Sequence, residues 1–194
     1  DPERGNLVSK KFGVPFFDSA QSLMDGAEAA IICSETIHHE ELIAICVQAG
    51  APILCEKPVA MDRQAGERIH QLVKNHPFMT ALPCRFSPMW NRVKQRVQSG
   101  EIGNILGITA TNHGKCPGGW FMVRELGGGA LLDHTVHCAD LINQLGLGSP
   151  VAAQVCHTNK FRGTEVEDAA MTTFDFAQGT FVTLDSSWSR PTAY

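Results

Sequence analysis

The chain has 194 residues, 43% hydrophobic and 19% charged, with a formal net charge of -4. That is an ordinary globular composition with room for one sizeable domain or two small ones, and its acidic balance speaks against a nucleic-acid or anionic-membrane partner. No apolar run approaches the ~20 residues that span a bilayer. Seven cysteines, an odd number, lie mostly inside apolar segments such as "IIC", "AIC" and "ILC", which reads as core packing in a reducing compartment, the cytoplasm.

The first third alternates strand and helix. "AAIIC" predicts a strand near Ala29–Cys33, and "HHEELIAICVQAG" a helix closed by Gly50. Ile53–Cys55 is a short buried strand, ended by Glu56-Lys57-Pro58 because proline cannot donate to a sheet ladder. Asp62 then caps a helix with Ala65, Ile69, Leu72 and Val73 at helical spacing, and "FMTAL" is the next strand. This order implies a Rossmann-like, doubly wound parallel sheet of an α/β protein over residues 1–84.

From residue 85 the pattern changes to an α+β region with a mainly antiparallel sheet, over 85–194. Ser87 and Pro88 start a helix that Gly100 closes, with Met89, Val93 and Val97 along one face. "DAAMTTFDFAQGTFVTLDSSWS" is two strands around Gln178-Gly179, a hairpin signal. Its alternating Phe174, Phe176, Val182, Leu184 and Trp188 offer an apolar face for self-association. Both ends are expected to be truncated, the first lacking a strand and a glycine-rich turn, the last lacking further strands.

The segment richest in chemistry is "ELGGGALLDHTVHCADLINQLGLG". Three glycines, Gly127–Gly129, precede a helix of about Ala130 to Leu145, and residues without Cβ allow a backbone or ligand to approach closely. At 100° per residue Asp133, His137, Asp140 and Gln144 share an arc of roughly 60°, with His134 outside it. A carboxylate and an imidazole at i, i+4 can hydrogen-bond, which orients the ring and raises its basicity. Such a histidine, with a lysine at the carboxyl end of a parallel strand, suits proton removal from a hydroxyl. His113, Cys116, His134, His137 and Cys138 match no standard zinc spacing, so no metal is expected.

"ILCEKPVAMD" and "GGGALLDHTVHCAD", about seventy residues apart, resemble the two signature segments of the glucose–fructose oxidoreductase / inositol dehydrogenase / rhizopine catabolism (Gfo/Idh/MocA) family of NAD(P)-dependent oxidoreductases. The resemblance runs through nearly the whole chain. It implies a dehydrogenase that oxidises a secondary hydroxyl of a sugar, sugar acid or cyclitol. Catalytic roles fall on Lys57, Asp133 and His137. The cofactor, NAD with NADP possible, would meet Asp1, Ser34, Glu35, Thr36, His39, Glu56, Lys57 and Pro58. In the family's T-P-N-x-x-H loop pattern Glu35 replaces the usual proline. Arg85 and Trp120 fall near the substrate, the Lys57–Pro58 bond is expected to be cis, and a homo-oligomer through the antiparallel sheet is implied. The family also holds regulators without turnover and NAD-dependent glycosidases, which are the competing readings.

Overall fold

A computed structural model describes residues 1–190 of the chain. Asp1 starts the first helix, its carboxylate accepting the Arg4 N–H at 3.1 Å, and Pro2 fits the first turn where no N–H is needed. That helix, α1, is Pro2–Phe12 and closes at Gly13 in the left-handed region. Helix α2 (Ala20–Met24) leads to strand β1 (Ala30–Ile32). Helix α3 (His39–Gln48) returns to strand β2 (Ile53–Cys55), and helix α4 (Arg63–Val73) to strand β3 (Phe78–Thr80). Asp62 caps α4 as expected, accepting the Ala65 N–H at 2.8 Å. The three strands pair in parallel in the order β1-β2-β3. Ile32, Ile43, Cys46, Ile53, Cys55 and Ile69 form the core between helices and sheet. Each side chain the size of Ile43, which is fully buried, contributes about 1.5–3 kcal/mol.

These elements form one unit, Asp1–Ser34 with His38–Thr80; Glu35–Ile37 and the chain from Ala81 onward form a second. The second begins with a 3₁₀ turn, Pro83–Phe86, and helix α5 (Pro88–Gln98), whose Met89 and Val93 are exposed. Strand β4 (Gly107–Lys115) precedes helix α6 (Gly129–Asn143). Strands β5 (Pro150–Thr158), β6 (Ala169–Phe176) and β7 (Phe181–Arg190) complete a sheet of order β4-β7-β6-β5. The β5–β6 and β6–β7 pairs are antiparallel, the latter turning at Gln178-Gly179, while β4 runs parallel to β7.

The apolar face of this sheet is not open. Helix α6 packs on it, with Ile142 in one cluster with Phe176, Val182 and Leu184, and Phe174 against them. Trp188 is fully buried beside Ala130, Val166 and Cys116. The five residues that alternation offered as an associating surface are therefore core, because the strand face richest in large apolar side chains is the face a helix covers. The opposite face carries Thr109, Thr111, Thr173, Thr183, Met171 and Phe181 instead.

Candidate active site

In the first unit the chemistry-bearing residues follow the carboxyl ends of β1 and β2. The ladder runs one residue past β2, with Glu56 N donating to Ile32 O at 2.9 Å. The Glu56 carboxylate turns back to accept the Lys57 N–H at 3.1 Å. The Lys57–Pro58 bond is cis, as the sequence led us to expect. Lys57 is half-buried and Pro58 buried. His39, the first residue of α3, is fully buried. Its Nε2 lies 3.2 Å from Ser34 O and its Nδ1 3.3 Å from Val59 O. The ring thus ties the loop after β1 to the loop after β2. Thr36, which belongs to the second unit, is buried, and its Oγ1 has no hydrogen-bond partner among the described residues. Cys55 is unsuited to nucleophilic work: burial, with the neighbouring Glu56 charge adding to it, pushes its thiol up to about 12. Asp1 sits at the start of α1 as its cap.

In the second unit α6 organises the site. Its glycines answer to protein neighbours. A Cβ on Gly127 would come within 2.7 Å of Trp120 O and meet the Phe121 backbone. Gly129, at φ +87°, lies against the Glu167 carboxylate. Glu167 takes the start of the helix, its Oε1 accepting the Leu131 N–H at 3.0 Å and its main-chain O the Ala130 N–H at 2.9 Å. An anion there suits the positive end of the helix dipole. Trp120 stacks on Phe121 with ring centroids 3.7 Å apart.

One turn further on, Asp133 is 6% exposed. Its Oδ2 accepts the indole N–H of Trp188 at 3.0 Å and lies 3.3 Å from His134 Nε2. His134 Nδ1 donates to Asn112 O at 2.9 Å, and Asn112 Nδ2 donates to His134 O at 3.0 Å. His137 follows on the next turn, half-buried. Beside it burial pushes the Cys138 thiol up, with Cys84 as a smaller cause. Arg85 forks onto Asp140, its Nε at 3.1 Å from Oδ2 and Nη2 closing the pair on Oδ1. Gln144 and Lys94 extend that network at 3.4 Å steps. The guanidinium thus braces α6 to the segment that follows β3. Sequence reasoning did not find His134, Trp188, Asn112 or Glu167. Gly114 was the available signal, since a Cβ there would meet His134 Cε1 at 2.6 Å.

No group of His, Cys, Asp and Glu among the described residues could hold a metal ion, and none of their helices is long and apolar enough to cross a membrane.

A parallel β-α-β unit with a charged turn at its strand ends is the pattern of a nucleotide-binding unit of the doubly wound kind, and here a mixed sheet under helix α6 follows it in the chain. Residues 1–81 match the model of an oxidoreductase family with an NAD-binding Rossmann fold, and residues 90–194 match that of a GFO/IDH/MocA C-terminal domain. The chain belongs to the GFO/IDH/MocA family of oxidoreductases. It is 26% identical over 197 residues to a myo-inositol 2-dehydrogenase of Thermotoga maritima, which covers 95% of this chain and 58% of that protein. It is 29% identical over 122 residues to the myo-inositol dehydrogenase Hyg17 of Streptomyces leeuwenhoekii, covering 62% of this chain and 37% of that one. The fold matches the WlbA dehydrogenase of Bordetella pertussis, solved with NADH and UDP-GlcNAcA. The TM-score is 0.89 at 20% identity, over 100% of this chain and 58% of that one. The chain thus spans about half the length of these relatives.

Proposed function

We propose that the protein is an NAD(P)-dependent dehydrogenase that oxidises a secondary hydroxyl of a sugar, sugar acid or cyclitol. The observation that carries this reading is the Asp133 carboxylate, buried and fixed by the Trp188 N–H one helical turn before His137, in a chain of an oxidoreductase family. His137 takes the hydroxyl proton, Asp133 sets the charge around that imidazole, and Lys57 steadies the alkoxide oxygen as its proton leaves. When bound, the nicotinamide cofactor supplies the hydride acceptor. Ser34, Glu35, Thr36, Glu56, Lys57 and Pro58 hold it, while His39, expected among them, is fully buried and supports their loops through Ser34 O and Val59 O; the buried, unsatisfied Thr36 Oγ1 fits a ligand hydroxyl in want of a partner. Asp1 takes the adenosine ribose, which favours NAD over NADP. Arg85 and Trp120 border the substrate. The relatives' names direct the first substrates to try, myo-inositol and a nucleotide-linked sugar acid.

Self-association runs through the second unit's sheet, on the face that carries Met171 and Phe181, each about half exposed. Sedimentation of a Met171→Lys, Phe181→Lys variant tests it: an unchanged oligomer rejects this surface.

The functional test is NADH formation by the full-length protein with NAD and a panel of cyclitols and sugars. Lys57→Ala and His137→Ala abolish turnover while NADH still binds. Wild-type rates in either variant, or no NADH formed with any hydroxyl substrate, reject the reading.

A further inference from the structure

We propose that His134 is a second histidine of the active site: a doubly protonated positioning residue that orients Asp133. This rests on the reading above that Asp133 and His137 act on the substrate.

A carbonyl oxygen can only accept, so the 2.9 Å contact from His134 Nδ1 to Asn112 O puts a proton on Nδ1. In a neutral ring Nε2 would then present a lone pair to Asp133 Oδ2 only 3.3 Å away. Both groups are at least nine-tenths buried, His134 being 9% and Asp133 6% exposed. Two acceptors facing each other out of water repel, whereas a proton on Nε2 turns the same contact into an ion pair. Trp188 N–H cannot relieve the conflict: it donates to the same Oδ2 and leaves the nitrogen unserved.

The surroundings are shaped for this ring. Gly114 leaves the space that the imidazole fills, and Asn112 grips the residue at both its ring and its carbonyl. Neighbouring charged groups have other partners. His113, the next residue on β4, points to the other sheet face, with Nε2 2.8 Å from Asp185 Oδ2. Glu167 accepts from the start of α6, and Asp168 Oδ2 accepts the Arg162 N–H at 2.8 Å. The sequence arc that grouped Asp133 with His137 left His134 out, yet the contact is between residues adjacent in the chain. The imidazole anchored on β4 reaches back to the carboxylate one residue earlier.

Two readouts on the full-length protein test this. The first is the ring protonation of His134 in histidine-labelled protein, read from long-range nitrogen–proton spectra at neutral pH and assigned by its loss in His134→Gln. Both ring nitrogens protonated is the expected result; a neutral Nδ1–H tautomer overturns the proposal. This readout stands whether or not the protein turns over sugars, so a failed dehydrogenase assay and a failed His134 role are distinguishable.

The second readout applies once turnover is seen. His134→Ala lowers kcat about 10²-fold, the scale of a misplaced catalytic group, with KM little changed. His134→Gln, a neutral donor, restores part of it. Gly114→Ala, which displaces the ring without removing it, gives a loss of the same kind. A variant series in which kcat holds while KM alone moves, or in which Gln performs no better than Ala, rejects the positioning role.

Discussion

Removing the indole N–H of Trp188 tests the second unit where it is most exacting. The bond to Asp133 Oδ2 is 3.0 Å long, its donor residue is fully buried and its acceptor residue is 6% exposed. A hydrogen bond to a charged group contributes about 1.5–3 kcal/mol, and the loss is felt fully when the orphaned acceptor is out of water. Trp188→Phe removes the donor but also leaves a void where the indole packed against Ala130 and Val166, a separate cost. A double-mutant cycle of Trp188→Phe with Asp133→Ala cancels the packing part. Urea unfolding followed by circular dichroism should give a coupling of about 2 kcal/mol between the two sites. A coupling below about 0.5 kcal/mol, the error of additivity between independent sites, would show that the indole fills space and does not hold the carboxylate.

Gly129→Ala should cost about 3 kcal/mol, because φ +87° and a Cβ within 2.5 Å of Glu167 Cδ act together. Gly146→Ala, also at positive φ but with open space around it, should cost about 1–2 kcal/mol. Equal losses in urea would refute the Glu167 contact. In His39→Ala, the carbonyls of Ser34 and Val59 lose their ring partner. Amide exchange in segments 33–36 and 57–60 should then quicken by about tenfold or more, and unchanged exchange would disprove the tie. For Cys55, the thiol is held up from an ordinary 9.0 to about 12. The fold therefore favours the protonated form. That share of stability is complete below about pH 9 and drains away as pH rises toward about 12. A Cys55→Ala variant should lose less stability over that range than the parent; parallel curves would contradict the burial. Arg85→Ala strands Asp140, whose side chain is 7% exposed, and should cost about 2 kcal/mol. Arg68 pairs with Glu40 at the surface and holds that carboxyl below its usual range through their hydrogen bond, yet Arg68→Ala should leave the melting temperature almost unmoved. Losses in the opposite order would reject the contrast.

Local signals carried much of this architecture. Ile53–Cys55 was legible as a strand because apolar residues in succession end at a proline, and Asp62 as a cap because a helical period begins just after it. The helix after the three glycines and the turn at Gln178-Gly179 lay within a few residues of their places. What failed to show were properties of pairing. Strand alternation says that Val182, Leu184 and Trp188 share a face, but which face α6 covers is decided by a helix about fifty residues earlier in the chain. Likewise β5, with its exposed and mixed residues, has no apolar period to announce it, and that β4 lies parallel to β7 is fixed by the connection between them.

The same distinction bears on α6. A polar stripe along a helix is usually a solvated face, and on that reading Asp133 and Asp140 would lie in water. Instead Asp133 is 6% exposed with an indole donor, and Asp140 is enclosed by a guanidinium fork. Burying two carboxylates on one helix is costly unless each is given donors. Here the donors come from separate elements, Trp188 on β7 for the first and Arg85 ahead of α5 for the second. His137 lies between the two fixed carboxylates, on the stretch of helix they hold still. On the function proposed above, that fixed stretch of helix sets where the His137 imidazole stands, which is what proton transfer at a defined atom needs.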